Sequence, residues 1–175
     1  FVTGATGIVG LPLCSELVSD GVRVTAYSRS ASEFDFPDGV DVVSGDILDV
    51  GSMVSAAEGC DVIFHVAAAV HGSASDYAEF KEVNATGTEN AIQTARANEA
   101  KLVHVSTVNV EAFQSGDLND DYASTKARAE ELVSEAVATE LDAVIIRPAT
   151  VFGNEQGKAG LLVDRLLAGT LKFLP

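Results

Sequence analysis

Two residues in the second half of the chain have side chains that could transfer a proton. Tyr122 and Lys126 lie four positions apart in a segment with a helical pattern, so both side chains fall on one helix face. An ammonium group near a phenol stabilises the phenolate and lowers the tyrosine pKa from about 10 toward neutrality. Tyr122 is therefore a candidate general acid and base. A Tyr-x-x-x-Lys pair is also common on helix surfaces, so its meaning depends on its surroundings.

The first ten residues have the spacing of a phosphate-binding turn. Gly4, Gly7 and Gly10 follow one another at three-residue intervals between a predicted strand, Phe1–Thr3, and a predicted helix, Gly7–Asp20. Gly4 lets the chain leave the strand in a conformation that a Cβ would forbid. Gly7 leaves room for a phosphate, Gly10 lets the helix pack closely on the sheet, and the helix N-terminus presents free N–H groups. The triplet predicts dinucleotide binding, and an ordinary strand–turn–helix is the alternative.

The residues after the second predicted strand, Val22–Tyr27, bear on the choice of dinucleotide. A site that prefers NAD usually places an acidic side chain here to bind the ribose 2′-hydroxyl. This chain has Ser28, Arg29 and Ser30 instead. A guanidinium offers paired donors to phosphate oxygens, so we expect NADP, with NAD as the alternative cofactor and a solvated surface role as the other reading of Arg29.

Other residues at strand ends could contact the same cofactor. Asp46 follows the strand Val40–Ser44 and could accept a hydrogen bond from an adenine amino group, or it could cap the helix predicted near 50–57. Ala67 and Ala68 follow the strand Asp61–Val66, and their small side chains would let backbone approach the middle of the cofactor.

Strand-like and helical segments alternate along the whole chain. The predicted strands are Phe1–Thr3, Val22–Tyr27, Val40–Ser44, Asp61–Val66, Lys101–Thr107 and Leu141–Arg147. This alternation favours an α/β fold with a doubly wound parallel sheet, the Rossmann architecture. Ligands of such sheets bind at the carboxyl ends of the strands. One crevice is thus expected to gather Gly7, Arg29, Asp46, Ala67, Thr107 and Pro148.

Two long helices flank the fifth strand in this reading. The first covers Tyr77–Asn98 and contains Asn84, Gly87 and Thr88, residues that need a packing or bonding reason inside a helix. The second opens at Tyr122 and extends to Glu140, with Asp120 or Asp121 as its N-cap.

Composition limits the class of protein. The 175 residues are 47% hydrophobic, enough for one full core and too few for two large domains. A net charge of −15 argues against nucleic acid and anionic membranes as partners. Cys14 and Cys60 have no CxxC partner and are expected to be free thiols in a reducing cytoplasm, and the three histidines lack metal-ligand spacing. Because the chain opens in mid-strand, we expect a fragment: a dinucleotide-binding domain over 1–153 and the start of a substrate-binding region over 154–175.

Taken together, the motifs resemble the extended short-chain dehydrogenase/reductase family, the NAD(P)-dependent epimerase/dehydratase group. They occur in that family's order and cover nearly the whole chain. The matching pieces are Thr3–Gly10, Gly45-Asp46, His65–Ala68, Val83-Asn84 with Gly87-Thr88, Val105–Thr107, Tyr122-x-x-x-Lys126 and Arg147–Gly153.

The resemblance implies a role for each matching residue. Tyr122 would transfer the proton, and Lys126 would bind the nicotinamide ribose while lowering the tyrosine pKa. Thr107, or alternatively Ser106, would orient the substrate oxygen, and Asn84 would brace the site. The cofactor-binding set expected on this basis is Gly4, Thr6, Gly7, Ile8, Gly10, Arg29, Asp46, Ile47, Ala67, Ala68, Lys126, Pro148 and Val151. Family members commonly dimerise through two long helices, here 77–98 and 122–140.

The expected activity is hydride transfer between nicotinamide and a secondary alcohol or ketone, of a nucleotide sugar or a small carbonyl compound. Arg29 favours an NADPH-dependent reductase over an epimerase, and the segment from Thr107 to Tyr122 is shorter than expected for a sugar-nucleotide epimerase. The alternative is a non-catalytic, NADP-sensing protein on the same fold. Such proteins often lose the tyrosine or the lysine, so the presence of Tyr122 and Lys126 favours an enzyme.

Overall fold

The computed structural model of the chain describes residues 1–74, 76–149 and 151. The predicted start of a substrate-binding region at 154–175 lies outside these residues, as do Thr150, Phe152 and Gly153 of the last motif.

All six predicted strands form one parallel sheet. They are β1 (Val2–Thr3), β2 (Val24–Ser28), β3 (Val40–Ser44), β4 (Val62–His65), β5 (Lys101–Val105) and β6 (Ala143–Ile146). Their spatial order is β3-β2-β1-β4-β5-β6, and every pair of neighbours is parallel. This order is that of the doubly wound dinucleotide-binding fold, so the predicted fold class is confirmed. The strand order reverses between β1 and β4, where a crevice opens.

Six α-helices connect the strands in the described part of the chain. They are α1 (Gly10–Ser19), α2 (Val50–Ala56), α3 (Tyr77–Lys81), α4 (Gly87–Ala97), α5 (Asn109–Ser115) and α6 (Asp121–Val137). A short 3-10 turn, Ala31–Glu33, follows β2.

The helices lie on both faces of the sheet. On one face α1 covers a small core that includes Val2, Cys14 and Ala26. On the other face α2, α4 and α6 cover a larger core that includes Met53 and Leu102. Successive strand residues point to opposite faces, which is why neighbouring positions such as Phe1 and Val2 belong to different cores.

Some helix boundaries differ from the prediction. The first helix begins at Gly10 and not at Gly7, because Gly7–Val9 form a turn before it. The helix predicted over 77–98 contains one π-helical turn, Glu82–Thr86, between α3 and α4. Helix α5 was not predicted, since seven residues provide too short a stretch for a periodic signal. Its end is marked by Gly116, which has a φ of 83°.

Candidate active site

A cavity of about 560 Å³ opens at the carboxyl edge of the sheet. Its volume falls in the range of small-molecule and cofactor sites. Among the residues predicted from sequence, those that line it are Gly4, Thr6, Gly7, Ile8, Arg29, Asp46, Ile47, Ala67, Ala68, Thr107, Tyr122, Pro148 and Val151. Three predicted residues do not line it. Gly10 and Asn84 directly follow the lining residues Val9 and Val83, and Lys126 lies four positions after Tyr122. The predicted crevice therefore exists, and it brings together residues from six separate strand ends.

The glycine turn is shaped by contacts that exclude side chains. Gly4 has a φ of 65°, and a Cβ there would lie 2.7 Å from the backbone nitrogen of Ala67. A Cβ on Gly10 would lie 2.2 Å from the Gly4 carbonyl oxygen. Both methyl groups would collide with backbone. Glycine at these two positions therefore lets β1, β4 and α1 approach more closely than a residue with a side chain would permit. No side chain caps the N-terminus of α1. The Leu11 N–H bonds the Gly7 carbonyl at 3.0 Å and Pro12 has no N–H, so within the first three residues of the helix only the Gly10 N–H is left for a ligand.

On the β3–β2 side of the sheet the cavity is lined by the residues that follow these two strands. Arg29 is exposed and lines the cavity between Ser28 and Ser30. The Ser28 hydroxyl is buried and has no hydrogen-bond partner among the described residues. The side chains of Ser28, Arg29 and Ser30 offer hydrogen-bond donors to a ligand here, and none of the three is a carboxylate.

Asp46 does not cap the following helix. Its Oδ1 accepts a hydrogen bond from the backbone N–H of Leu48 at 3.0 Å, while Asp49 is the N-cap of α2 and accepts from Ser52. The alternative reading of Asp46 as the cap is therefore wrong. Its contact with an adenine group stays a prediction, supported by its place in the cavity wall.

The loop after β4 is held from two sides. The Thr3 hydroxyl accepts hydrogen bonds from the backbone N–H groups of Val66 and Ala67 at 3.2 and 3.3 Å. Asn84, in the π-helical turn, accepts from the Ala69 N–H at 2.8 Å and donates to the Ala69 carbonyl at 3.1 Å. The same amide donates to the Thr125 hydroxyl of α6 at 3.1 Å. Asn84 therefore connects the loop to the helix that carries Tyr122, which accounts for a buried amide in a helix interior.

The Tyr122 phenol lies in the cavity wall beside Thr107 and Ser106. Burial raises its pKa, a hydrogen bond with Thr107 lowers it, and the charge of Asp120 raises it, so that the pKa lies above the ordinary tyrosine value. The prediction that Lys126 lowers this pKa does not hold in this structure. The reason is geometric, since the Lys126 ammonium is bonded to the Val105 carbonyl and to His104.

Lys126 is almost fully buried in the sheet-facing side of α6, with 1% of its surface exposed. Its Nζ donates to the Val105 carbonyl at 2.8 Å and lies 3.3 Å from Nε2 of His104. Burial lowers the pKa of Lys126 to about 8, an effect partly offset by the negative charge of Glu130. The ammonium is thus one hydrogen bond away from the cavity wall, through Val105, but is not part of it.

A third residue on the same helix face was missed by sequence analysis. Glu130 follows Tyr122 and Lys126 at the next i+4 position and is 5% exposed. Its carboxylate accepts from Nε of Arg147 at 2.9 Å, and Nη1 of Arg147 also bonds Glu111 of α5 at 3.0 Å. Burial raises the pKa of Glu130, but its bonds with Arg147 outweigh that effect and hold the pKa below its ordinary value. The i, i+4, i+8 spacing on α6 was a signal that could have identified Glu130.

Asp120, a predicted N-cap candidate of α6, makes a second contact that was not predicted. Asp120 caps the helix by accepting from the Ala123 N–H at 3.0 Å, which settles the choice between Asp120 and Asp121. Its other oxygen lies 2.8 Å from Nε2 of His71, whose ring contacts the Tyr122 ring with centroids 5.4 Å apart. No pattern in the sequence connects His71 with Asp120, because they lie in different loops.

Two other classes of site are absent from residues 1–74, 76–149 and 151. This part of the chain holds no group of three or more His, Cys, Asp or Glu side chains placed to bind a metal ion. None of its helices combines the length and apolar character needed to cross a lipid bilayer.

Comparison with known proteins places the chain in a family. Residues 1–172 match the model of the NAD dependent epimerase/dehydratase family. One relative, the 4-hydroxy-2-methyl-3-oxo-4-farnesyl-3,4-dihydroquinoline-1-oxide ketoreductase of Stigmatella aurantiaca, is 36% identical over 87% of this chain and 50% of its own length. Another, the human short-chain dehydrogenase/reductase family 42E member 1, is 30% identical over 99% of this chain and 50% of its own length. The chain spans about half the length of these curated relatives.

Solved structures agree on the fold. The crystal structure of UDP-glucuronic acid 4-epimerase from Bacillus cereus in complex with NAD superposes with a TM-score of 0.79. The match covers 95% of this chain and 63% of that one, at 23% identity, so this likeness speaks for the fold alone. Since the family model matches almost the entire chain and its relatives are named as enzymes, this chain belongs to the extended short-chain dehydrogenase/reductase family, in the NAD-dependent epimerase/dehydratase group.

Proposed function

We propose that the protein is an NADP-dependent reductase that interconverts a ketone and a secondary alcohol, with Tyr122 as the proton-transfer residue. The observation that carries this proposal is the single cavity that joins the glycine turn and Arg29 to Tyr122 and Thr107. A dinucleotide held by the glycine turn and Arg29 would extend its nicotinamide toward Tyr122 and Thr107. The name of the Stigmatella relative, a ketoreductase, supports the reductase branch over the epimerase branch.

The residues present fit a dinucleotide. The glycine turn forms a cradle that a Cβ on Gly4 or Gly10 would fill, and the Gly10 N–H at the uncapped start of α1 suits a pyrophosphate oxygen. Pro148 and Val151 offer an apolar wall near Tyr122. A bound nicotinamide dinucleotide would supply the hydride of the reaction.

Side chains of the protein would transfer the proton. Because burial raises the pKa of Tyr122, the residue is a neutral phenol at physiological pH and can donate its proton to the oxygen of a carbonyl substrate. Thr107 would bind the same oxygen, a role supported by its place with Tyr122 in the lining of one cavity. Lys126 adds a positive charge behind the wall, at the Val105 carbonyl. A phenol that starts protonated suits the direction of reduction.

The proposed preference for NADP rests on the end of β2. Arg29 can pair with a 2′-phosphate, and the buried Ser28 hydroxyl beside it is an unpaired donor among the described residues. An acidic side chain, which would repel the phosphate, does not occur at 28–30.

The proposal also includes the oligomeric state and the cellular location. We expect a homodimer through the helical segments 77–98 and 122–140, on which the apolar side chains Tyr77 and Val137 are 48% and 46% exposed. The free thiols of Cys14 and Cys60 support a cytoplasmic location.

Replacing Tyr122 tests the proposal and separates it from the alternative of a non-catalytic NADP-sensing protein. We expect Tyr122→Phe in the full-length protein to lower ketone-dependent NADPH oxidation by about 10²–10⁴-fold, because it removes the transferred proton. Tyr77→Phe is the matched control and should retain the activity, since Tyr77 is exposed and outside the cavity. Equal activity of Tyr122→Phe and the parent protein would refute the assignment, and a parent protein that binds NADPH without oxidising it across a panel of ketones would favour the sensor.

A further inference from the structure

Four buried polar side chains form a row beneath the cavity. Thr3, His65 and His104 are register partners on the neighbouring strands β1, β4 and β5, and Lys126 of α6 lies at the end of the row. Each is at most 1% exposed. The Thr3 hydroxyl lies 2.9 Å from Nδ1 of His65, and the two imidazole rings stack with centroids 5.5 Å apart. Nothing in the proposed proton transfer uses the two histidines.

The hydrogen bonds of Thr3 determine the tautomer of His65. Because the hydroxyl oxygen accepts from the backbone N–H groups of Val66 and Ala67, its two lone pairs are occupied. Its hydrogen is then free for His65, so Nδ1 of that ring is an acceptor. The proton of the neutral His65 ring is therefore on Nε2.

Lys126 determines the opposite tautomer of His104. An ammonium group has three donors and no acceptor, so Nε2 of His104 must accept the bond from Nζ. The proton of the neutral ring is then on Nδ1, and a protonated His104 could not make this bond at all. Burial, followed by the charge of Lys126, lowers the pKa of His65 to about 3 and lowers that of His104 as well. Both rings stay neutral at physiological pH, and the bond to Lys126 requires this of His104.

We propose that His104 is a positioning residue for Lys126. Its Nε2 and the Val105 carbonyl fix two of the three ammonium N–H groups, which leaves the third N–H with a single direction available to a ligand. A lysine side chain has four rotatable bonds and costs conformational entropy to order, so a second acceptor makes the orientation of the ammonium independent of the ligand. This inference rests on the proposed role of Lys126 in holding the dinucleotide ribose.

The tautomers provide a test that is independent of cofactor and substrate. Two-bond 1H–15N correlation spectra of the full-length protein labelled with 15N-histidine distinguish the two neutral tautomers and the imidazolium, with His65→Gln and His104→Gln variants for assignment. We expect His65 in the Nε2–H form and His104 in the Nδ1–H form from about pH 5 to about pH 8. An Nε2–H or charged His104 would overturn the proposal, whatever the outcome of cofactor binding.

A pair of substitutions tests the positioning role itself. His104→Gln places an acceptor oxygen near the former Nε2, whereas His104→Leu fills similar space without an acceptor. We expect NADP⁺ affinity to fall about tenfold in the leucine variant and less than threefold in the glutamine variant, the change expected for one hydrogen bond to a charged donor. If His104 only fills space, both variants will bind like the parent protein, and that result would contradict the proposal.

The tautomer spectra and the NADP⁺ titrations also distinguish a failure of the positioning role from a failure of the proposed function. A parent protein that binds no NADP⁺ would refute the proposed function, and the tautomers would still decide whether His104 accepts from Lys126. If His104→Leu does not fold, the comparison of His104→Gln with the parent protein still tests the role, because loss of affinity there despite a retained acceptor would count against it.

Discussion

The two halves of the sheet build their sides of the cavity by different means. The half made of β1, β2 and β3 contributes mainly backbone and shape: Gly4 and Gly10 are excluded from bearing side chains, and the N-terminus of α1 is uncapped. The half made of β4, β5 and β6 contributes buried polar side chains. Apart from Thr3 and the Tyr27 phenol, the buried polar residues in the described part of the chain lie between His65 and Glu130.

This difference corresponds to two tasks. A dinucleotide phosphate can be bound by backbone N–H groups that carry no net charge and need no proton transfer. Moving a proton requires titratable groups whose pKa values are set by burial and neighbours. The second half therefore contains Lys126 and Glu130 at a cost in desolvation that the first half avoids.

In the first half, adding a methyl group to a glycine should give the largest loss of folding free energy. Gly4→Ala should cost about 2–4 kcal/mol of folding free energy, from left-handed backbone strain of about 1 kcal/mol and a collision with the backbone of Ala67. Gly21→Ala is the matched control, since Gly21 has a φ of 79° but nothing within 4 Å of an added Cβ. It should cost only the strain of about 1 kcal/mol. Urea unfolding of both variants checks this, and equal losses would show that the approach of Gly4 to Ala67 is not tight.

The second half is tested through the pH dependence of stability. Lys126→Met removes a buried ammonium, which relieves the cost of about 3 kcal/mol that its lowered pKa represents, and it also removes two hydrogen bonds from a charged donor worth about 1.5 kcal/mol each, so the two effects should nearly cancel at pH 7. The native state resists protonation of Lys126 between about pH 8 and the unfolded value near 10.5, where the unfolded chain holds the extra proton. The stability of the parent protein should therefore rise through that window relative to Lys126→Met.

Thermal unfolding measured against pH checks this prediction. Lys81→Met, at an exposed position on α3, is the control and should behave like the parent protein throughout. A difference in stability between the parent protein and Lys126→Met that does not change between about pH 8 and about pH 10.5 would show that the ammonium is not held at a cost.

Sequence reasoning anticipated the first half better than the second. The six strands were predicted to within two residues at each end, and the glycine turn and Arg29 were placed in the cavity where they occur. Local patterns carry this information, because a strand, a turn and a helix follow one another along the chain. The direction of the Tyr122 pKa was predicted wrongly, since a spacing of four positions places Lys126 on the same helix face but does not say which way the ammonium points.

The remaining site residues depend on contacts between distant segments. His65 and His104 become neighbours only through the register of β4 on β5, and Glu130 meets Arg147 only after β6 has joined the sheet. The π-helical turn at Asn84 likewise follows from its bonds to Ala69 and Thr125, 15 and 41 positions away. Such contacts have no signature in a single sequence.

Isothermal titration calorimetry with NADP⁺ and NAD⁺ most directly tests the claim that the two halves have separate tasks. We expect the protein to bind NADP⁺ more tightly than NAD⁺, Arg29→Ala to lose about tenfold in NADP⁺ affinity with little change for NAD⁺, and Tyr122→Phe to bind both like the parent protein. Tighter binding of NAD⁺ by the parent protein, or a loss of dinucleotide affinity in Tyr122→Phe as large as that in Arg29→Ala, would contradict this claim.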